Sequence, residues 1–300
     1  MGGLFQRIIG MTTGKTGQRL EAIDLLKVLL TIGIVFRHAE LVGLEGRSAA
    51  FDVLSRGMMM VTSICVPLFF VLSGFLYFYN VPEHPDAHYF WNKTRKRFSS
   101  LLVPYLIANV FAFLCYWAAY RYAPQMMSGF FGEDWRKPLF IFWTGPVNMS
   151  LWFIRDLIIA CLVAPLFYLL VRYTRIWGLL VLGAVWIFVG GSHWYNIWFA
   201  IGAWAAVCQG DTVARWLGRI HCRVPADAAA WCFFIYLYHY ILVIALKKWM
   251  TALLDPSSFW VLLGVYLTAA IVTLAVLSGL FQLMKTLLPK TTGILVGGKL

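Results

Sequence analysis

The stretch SFWVLLGVYLTAAIVTLAVLSGLFQLM at residues 258–284 contains no charged residue. A helix crosses the hydrocarbon core of a bilayer with about 20 mostly apolar residues, so this run is long enough to span a membrane. The whole chain has the same character: its 300 residues are 61% hydrophobic and 13% charged, with a mean hydropathy of +0.75. Soluble domains carry about a quarter charged residues, so the sequence predicts an integral membrane protein.

Similar apolar runs precede this one, and together they predict an all-α fold. The eight candidate spans are residues 23–42, 58–79, 101–121, 150–171, 176–191, 194–208, 228–248 and 258–284. The fifth and sixth are short and closely spaced, so they form either a tight helical hairpin or a partly re-entrant pair. We predict a polytopic transmembrane helical bundle with eight to ten spans.

Basic residues recur in alternate connections between these runs. They are Arg7, Lys15 and Arg19, then Lys93, Arg95, Lys96 and Arg97, then Arg172 and Arg175, then Arg215, Arg219 and Arg223, and finally Lys285, Lys290 and Lys299. Lys and Arg favour the cytoplasmic side, so both termini are predicted in the cytoplasm of a multi-pass protein of the cell (inner) membrane. The chain then divides into a cytoplasmic or interfacial segment (1–22), a transmembrane domain (23–285) and a cytoplasmic tail (286–300). Residues 4–10 are expected to lie along the inner interface.

Charge and cysteine content limit the classes of partner. The net charge of +12 is distributed over short connections and forms no basic stripe among exposed aromatics, so we expect contacts with membrane lipids and none with nucleic acid. The six cysteines lack paired metal-ligand spacing, so neither a metal site nor disulfides are predicted. A homo-oligomer is left open.

Polar side chains form one stripe along the first candidate span. At about 100° per residue, Asp24, Lys27, Thr31 and His38 fall within a sector of roughly 60°. Ionisable residues inside a bilayer are costly and usually functional. The alternative is that Asp24 and Lys27 are interfacial charges and that His38 makes a structural hydrogen bond. Arg37 lies about 100° away from His38 and is expected to be either a structural or an outer-interface charge.

An ordered set of segments resembles acyltransferase family 3, the membrane-bound O-acyltransferases that act on surface polysaccharides and related glycans. The segments are IDLLKVLLTIGIVFRH (23–38), VPLFFVLSGFLYF (66–78), KTRKRFSSLLVPY (93–105), LWFIRDL (151–157), IWFAIGAWAA (197–206) and FFIYLYH (233–239). The sequence departs from the family at Lys27, where Arg is more common, and at Ser100, where a second Arg usually stands. The predicted eight spans also fall below the family's typical ten.

The resemblance implies transfer of an acyl group from cytoplasmic acyl-CoA, usually acetyl-CoA, to a hydroxyl of a cell-envelope glycan or lipid-linked saccharide. Such a transfer needs a base for the hydroxyl proton, and a neutral imidazole is well matched to that task near pH 7. We therefore assign His38 as general base, on the same face as Asp24 and Lys27. An acyl-histidine intermediate is the variant. Arg155 is the candidate for stabilising the oxyanion, and its alternative is an interfacial arginine.

The remaining candidates divide between donor and acceptor. Arg95, Lys96 and Arg97 are expected to bind donor phosphates, although the cluster also fits the positive-inside rule. Ser73 and Gly74 either border the donor arm or serve helix packing. Acceptor-binding or supporting roles are predicted for Tyr236, His239, Trp152 and Asp156, and the alternative for Tyr236 and His239 is a hydrogen-bonded core network.

Two other functions fit a polar membrane bundle. In a transporter or flippase for a glycan or lipid-linked intermediate, the stripe would line a permeation path. The other alternative is a non-catalytic partner in envelope assembly. The polar stripe argues against it, because a scaffold gains nothing from ionisable residues in the bilayer.

Overall fold

The computed structural model describes residues 21–41, 48–122, 145–189, 196–220, 222–255 and 257–300. Three parts of the predicted organisation therefore lie outside the described residues: the interfacial segment at 4–10, most of the connection between the third and fourth predicted spans, and the connection at 190–193 between the two short spans.

The described chain is helical and forms a membrane bundle. The helices are α1 (Glu21–Ala39), α2 (Ala49–Ser63), α3 (Cys65–Phe78), α4 (Ala87–Tyr122), α5 (Trp152–Leu162), α6 (Ala164–Thr174), α7 (Ile176–Val189), α8 (Asn196–Leu217), α9 (Ala228–Leu253), α10 (Phe259–Leu287) and α11 (Pro289–Leu295), with a 3₁₀ turn at Met149–Leu151 before α5. The predicted all-α class is confirmed.

Within the described ranges, four helical stretches are long and apolar enough to cross a membrane. They are Ala49–Phe78, Ala87–Tyr122, Ala228–Leu253 and Phe259–Leu287, and the bent pair Met149–Leu162 with Ala164–Thr174 gives a fifth if it counts as one span. The α1 helix is not among them because it carries Glu21, Asp24, Lys27 and Arg37. The eight-span count and the cytoplasmic termini stay predictions.

Helix boundaries correct two parts of the predicted loop pattern. Asp52 and Arg56 fall between the first two predicted spans, yet both lie within α2, which leads almost directly into α3. The basic cluster at 93–97, expected in a connection, lies within the first turns of the long helix α4. Both helices therefore extend beyond their apolar segments, because basic residues such as Lys and Arg favour a helix about as well as Leu does.

The span predicted at 150–171 is broken, which corrects the expectation of one continuous helix. Its two halves, α5 and α6, meet at Val163 with a bend of 63°. Pro165 lies in the first turn of α6 and has no backbone N–H to donate to the carbonyl of Cys161 four residues earlier. That carbonyl accepts a hydrogen bond from Thr94 Oγ1 of α4 at 3.1 Å instead. A neighbouring helix thus supplies the hydrogen bond that the carbonyl lost at the break, as the bilayer interior requires.

Two glycines bring α3 and α8 into close contact. A Cβ atom on Gly74 would collide with the carbonyl oxygen of Phe199, and one on Gly202 would collide with that of Val71. Small residues let helix backbones approach closely where lipid supplies no hydrophobic driving force between helices. Of the two roles predicted for Gly74, the structure shows the packing role.

The α1 and α9 helices lie between two groups of buried side chains. Leu30 and Ile34 of α1 join a cluster built with α3 to α6 and α8. Val35 and Ala39 join a second cluster with α2 and α10. On α9, Leu237 belongs to the first cluster and Phe234, Ile235 and Val243 to the second. The pair of helices therefore forms the seam between the two halves of the bundle, and the polar stripe lies along it.

Candidate active site

The stripe on α1 faces α9. Asp24 and Thr31 are buried, whereas Lys27 and His38 keep some accessible surface. The side chain of Cys232 on α9 lies beside Asp24, Lys27 and Thr31. Lys27 Nζ pairs with Asp24 Oδ1 at 3.0 Å, one turn away on the same helix face. The predicted common face is therefore confirmed, with a helix and not lipid opposite it.

The contacts also give the relative direction of the two helices. Near its start, α9 approaches Lys27 through Cys232, and near its end Lys247 Nζ donates to the carbonyl oxygen of His38 at 3.0 Å. The helices therefore run in the same direction, as the first and seventh of eight alternating spans must. We call the end of the bundle where α1 and α9 begin the inner end, because the charge pattern predicts it on the cytoplasmic side.

Two imidazole rings meet at the seam. The ring centroids of His38 and His239 are 5.2 Å apart, and the rings of His38 and Tyr240 are perpendicular with centroids 5.0 Å apart. His239 is fully buried, whereas His38 is only partly so. A reacting group must reach its base, so His38 is the better candidate of the two residues for that role.

Hydrogen bonds define the tautomer of His239. Its Nδ1 atom lies 3.1 Å from the carbonyl oxygen of Ile235 and 2.9 Å from that of Tyr236. Carbonyl oxygens only accept, so Nδ1 carries the hydrogen and Nε2 of the neutral ring is left as an acceptor. Nε2 is buried without a hydrogen-bond partner in the described part of the chain. The site thus holds an unused buried acceptor beside His38.

Beyond the histidines, Lys247 joins the end of α1 to α9. Its Nζ atom donates to the carbonyl oxygens of His38 at 3.0 Å and Glu40 at 2.7 Å. The carbonyl of His38 lies in the last turn of α1 and that of Glu40 just after it. Carbonyls at a helix C-terminus lack partners within the helix and favour a cation. The buried carboxylate of Glu40 accepts a hydrogen bond from Ser55 of α2. Lys247 and Glu40 were not predicted as site residues, although Lys247 lies eight residues after His239 on the same face of α9.

A second network anchors α9 to the segment before α5. The hydroxyl of Tyr236 donates to the carbonyl oxygen of Ser150. Asn148 Nδ2 donates to the carbonyl oxygen of Leu237 at 3.0 Å, and its Oδ1 accepts from the backbone N–H and the hydroxyl of Ser150. Tyr236 and His239 contact each other with centroids 5.8 Å apart. The two residues therefore lie on the same face of α9.

Arg155 and Asp156 form an ion pair, with Nε and Oδ1 2.8 Å apart. The two residues are adjacent on α5, and neighbouring side chains on a helix point in different directions. The pair forms because Nε lies close to the backbone and reaches the neighbouring carboxylate. The Asp156 carboxylate interacts with Tyr236, and Arg155 interacts with Tyr105. The pair is therefore linked to His239 through Tyr236.

The predicted donor-binding residues separate at the inner end. Arg95 and Lys96 are exposed, whereas Arg97 is partly buried on the opposite side of α4 and interacts with Tyr77 and Cys161. Lys93, one turn earlier, lies over the ring of Tyr77 at 5.2 Å. Successive residues on a helix face different directions, so the cluster in the sequence does not form one site.

Two further candidates are placed by helix packing. Trp152 stacks loosely on Phe70 with centroids 6.5 Å apart, next to the turn that holds Ser150. Arg37, expected to be a structural or an outer-interface charge, donates to the carbonyl oxygen of Met59 in α2 at 3.2 Å. A separate pocket lined by Arg172, Arg175 and Trp204 lies among α6, α7 and α8, away from the stripe.

Comparisons with known proteins show the family to which the chain belongs. The model of the Acyl_transf_3 family, described as "Acyltransferase domain", matches residues 20–211, which is more than half of the chain. The succinoglycan biosynthesis protein ExoH of Rhizobium meliloti (strain 1021) is 30% identical over 166 residues, which are 51% of this chain and 44% of ExoH. The match thus spans less than half the length of that relative. No solved structure matches the chain. The chain belongs to the Acyl_transf_3 family of acyltransferase domains.

Proposed function

We propose that this protein is an inner-membrane O-acyltransferase that moves an acyl group from cytoplasmic acyl-CoA to a hydroxyl of a cell-envelope polysaccharide or its lipid-linked precursor. Family membership supports acyl transfer, and the similarity to a protein named for succinoglycan biosynthesis supports a saccharide acceptor. The single observation that carries the mechanism is the His38–His239 pair at the seam between α1 and α9.

In this proposal His38 is the general base. His38 keeps some accessible surface as a residue, and the other histidine of the pair is fully buried. His38 takes the proton of the acceptor hydroxyl as the oxygen attacks the thioester carbon. When the tetrahedral intermediate collapses, the C–S bond breaks and the imidazolium returns the proton to the departing sulfur. General base catalysis of this kind contributes about 10²- to 10⁴-fold in rate.

His239 is a positioning residue in the same scheme. Its free Nε2 atom can accept the N–H of His38, because a centroid separation of 5.2 Å lets a nitrogen of one ring approach a nitrogen of the other. That hydrogen bond would select the tautomer of His38 whose remaining nitrogen is a free base. A carboxylate fills this role in the Ser-His-Asp triad, where it orients the imidazole and stabilises the imidazolium.

Charged groups around the pair have separate roles in the proposal. Arg155 is the candidate for stabilising the oxyanion, with Asp156 and Tyr236 holding its position. Trp152 lies beside this group and is assigned to the acceptor side. Asp24 and Lys27, at the inner end of the stripe, lie where an acyl-CoA arm would enter from the cytoplasm. The donor phosphates are assigned to Arg97, because Arg95 and Lys96 are exposed on another face of α4.

The experiment measures incorporation of label from [¹⁴C]acetyl-CoA into the glycan fraction of membranes that contain the protein. We expect His38→Ala to lose at least 10²-fold in rate with normal membrane insertion. The matched control is His88→Ala, because His88 is exposed at the start of α4. Normal incorporation by His38→Ala would exclude His38 as the base.

The same assay separates this function from a transporter or flippase. A transporter would move its glycan or lipid-linked cargo in proteoliposomes without acyl-CoA, and no label would enter the glycan. Label in the glycan fraction that depends on His38 is the result expected from the acyltransferase. Mass spectrometry of the envelope glycans with and without the protein then identifies the acyl group and the acceptor.

A further inference from the structure

Three distant parts of the chain bring positive charge to the inner end. Lys27 belongs to α1, Arg97 to α4 and Lys299 to the segment after α11. The positive charges of Arg97 and Lys27 lie close enough to Lys299 to lower its pKa. The ammonium group of Lys299 lies 3.2 Å from the ring centroid of Phe233, near the start of α9. We call Lys27, Arg97 and Lys299 the cationic cluster.

Backbone chemistry explains why the segment that carries Lys299 lies at this place. Pro104 is inside α4 and cannot donate to the carbonyl of Ser100 four residues earlier, so that carbonyl is left open on the helix surface. Gly297 packs directly over it, so closely that a Cβ atom would collide with the oxygen. Gly297 has a φ of 65°, which favours glycine and turns the chain towards the cluster.

The cluster lacks matching negative charge in the part of the chain that the structure describes. Asp24 pairs with Lys27, but neither Arg97 nor Lys299 forms an ion pair with a described carboxylate. Arg97 Nε is buried without a hydrogen-bond partner among the described atoms. Burial, and then the charges of Arg97 and Lys27, lower the pKa of Lys299 well below its ordinary value. Keeping Arg97 and Lys299 charged therefore costs free energy, and a bound anion would offset that cost.

Unpaired charge at this place is costly. An ion taken out of water costs several kcal/mol unless it is paired. The ends of α3 and α5 lie near Arg97, at Tyr77 and Cys161, and each helix C-terminus supplies about half a negative charge. These ends and the carboxylate of Asp24 face the cationic cluster, with Lys93 one turn from Arg97. The cations outnumber the described anionic groups, which favours a bound anion.

We propose that the cationic cluster binds a phosphate-bearing anion and that Lys299 contacts the phosphate directly. This inference rests on the proposed function and deepens it, because the phosphates of an acyl-CoA donor have the required chemistry. It adds Lys27 and Lys299 to Arg97 as anion-binding residues. An anionic lipid headgroup carries the same chemistry, so the test must separate the two sources.

The test is a calorimetric titration of the full chain in phosphatidylcholine nanodiscs, with CoA and with inorganic pyrophosphate as probes. We expect Lys299→Met to weaken binding of both probes by about tenfold to a hundredfold, the effect of losing one charged hydrogen bond. Lys299→Arg should keep most of the affinity. The matched control is Lys290→Met, because Lys290 is an exposed lysine in the neighbouring helix α11.

Equal affinity of Lys299→Met and the wild type for both probes would overturn the proposal. If Lys299→Met does not give a monodisperse protein, chemical modification of the wild type replaces the titration. Pyrophosphate should then slow the reaction of Lys299 with an amine reagent. An unchanged rate of modification overturns the proposal. Competition between CoA and pyrophosphate assigns the anion to the donor. Displacement of pyrophosphate by phosphatidylglycerol but not by CoA would keep the anion site and overturn its donor assignment.

Failure of the proposed function would look different. Neither probe carries an acyl group, so binding is measured without transfer, and His38→Ala should bind both probes as the wild type does. Binding that depends on Lys299 in a protein without transfer activity would remove the acyltransferase proposal and leave the anion site standing.

Discussion

Lys247 Nζ lies 3.0 Å from the carbonyl oxygen of His38, so a cation on α9 caps the end of the helix that carries the proposed base. The same atom also holds the carbonyl of Glu40 at 2.7 Å. His239 and Lys247 lie on one face of α9 and contact His38 through its ring and its backbone, respectively. The position of the imidazole is therefore determined by α9 at two points.

The first prediction concerns this tether. We expect Lys247→Met to lower kcat by about tenfold or more. Each charged hydrogen bond contributes about 1.5–3 kcal/mol, and its loss would let His38 leave the position that the reaction requires. The KM for acyl-CoA should stay close to the wild-type value, because the proposed donor site is at the opposite end of α1. Steady-state kinetics in detergent or nanodiscs separate the two parameters.

Two variants test whether the loss is specific. Lys247→Arg should recover part of the kcat, because its guanidinium can also donate to both carbonyls. Lys248→Met, at the exposed neighbouring position, should leave both parameters unchanged. A parallel rise in KM for Lys247→Met would point to general loss of structure instead of a displaced base.

The second prediction concerns His239. If its Nε2 orients His38, His239→Phe should lower kcat by about tenfold to a hundredfold, the effect of one hydrogen bond to a charged imidazole in the transition state. The loss should be smaller than that of His38→Ala, because the base is still present. The double variant should lose no more than His38→Ala alone, since residues that act as a unit are not additive. Additive losses would show that His239 acts independently of His38.

The third prediction distinguishes packing from donor binding at Gly74. We expect Gly74→Ala to lower the free energy of unfolding by about 1–3 kcal/mol, because the new methyl group collides with the backbone of α8. The control is Gly264→Ala in α10, where an added Cβ has open space. Thermal unfolding of the purified proteins measures the difference. A stable Gly74→Ala protein with a raised KM for acyl-CoA would instead support the donor-arm role.

The fourth prediction concerns pH and the junction of α9 with α10. Burial alone would raise the pKa of Asp227, but Lys285 Nζ at 2.6 Å lowers it below the ordinary value. A lowered folded-state pKa stabilises the protein above the ordinary pKa, and that contribution is lost as the pH falls through the folded pKa. The pair is partly exposed, so Asp227→Asn should cost at most about 1 kcal/mol at pH 7.

Chemical unfolding across a pH series checks this prediction. The difference between Asp227→Asn and the wild type should shrink as the pH falls below the ordinary aspartate range. In a Lys285→Gln background, Asp227→Asn should have little further effect, because its partner is already absent. A difference that grows towards low pH would contradict the ion-pair explanation.

Much of the site could be predicted from the sequence, and the failures have physical causes. The spacing of Asp24, Lys27, Thr31 and His38 at helical periodicity gives their common face, and the structure confirms it. The basic run at 95–97 was a misleading signal, because neighbouring residues on a helix point in different directions. The ion pair of Arg155 with Asp156 depends on side-chain conformation, which their adjacent positions in the sequence do not specify.

The sequence by itself determined the membrane class, the helical fold and the polar stripe, because apolar run length and 3.6-residue periodicity are local properties of the chain. Only the tertiary structure decided what faces the stripe. The pairing of His38 with His239 and Lys247, and the approach of Lys299 to Arg97, join residues that are about 200 positions apart in the chain. Such contacts depend on which helices pack together, and no local pattern specifies that choice.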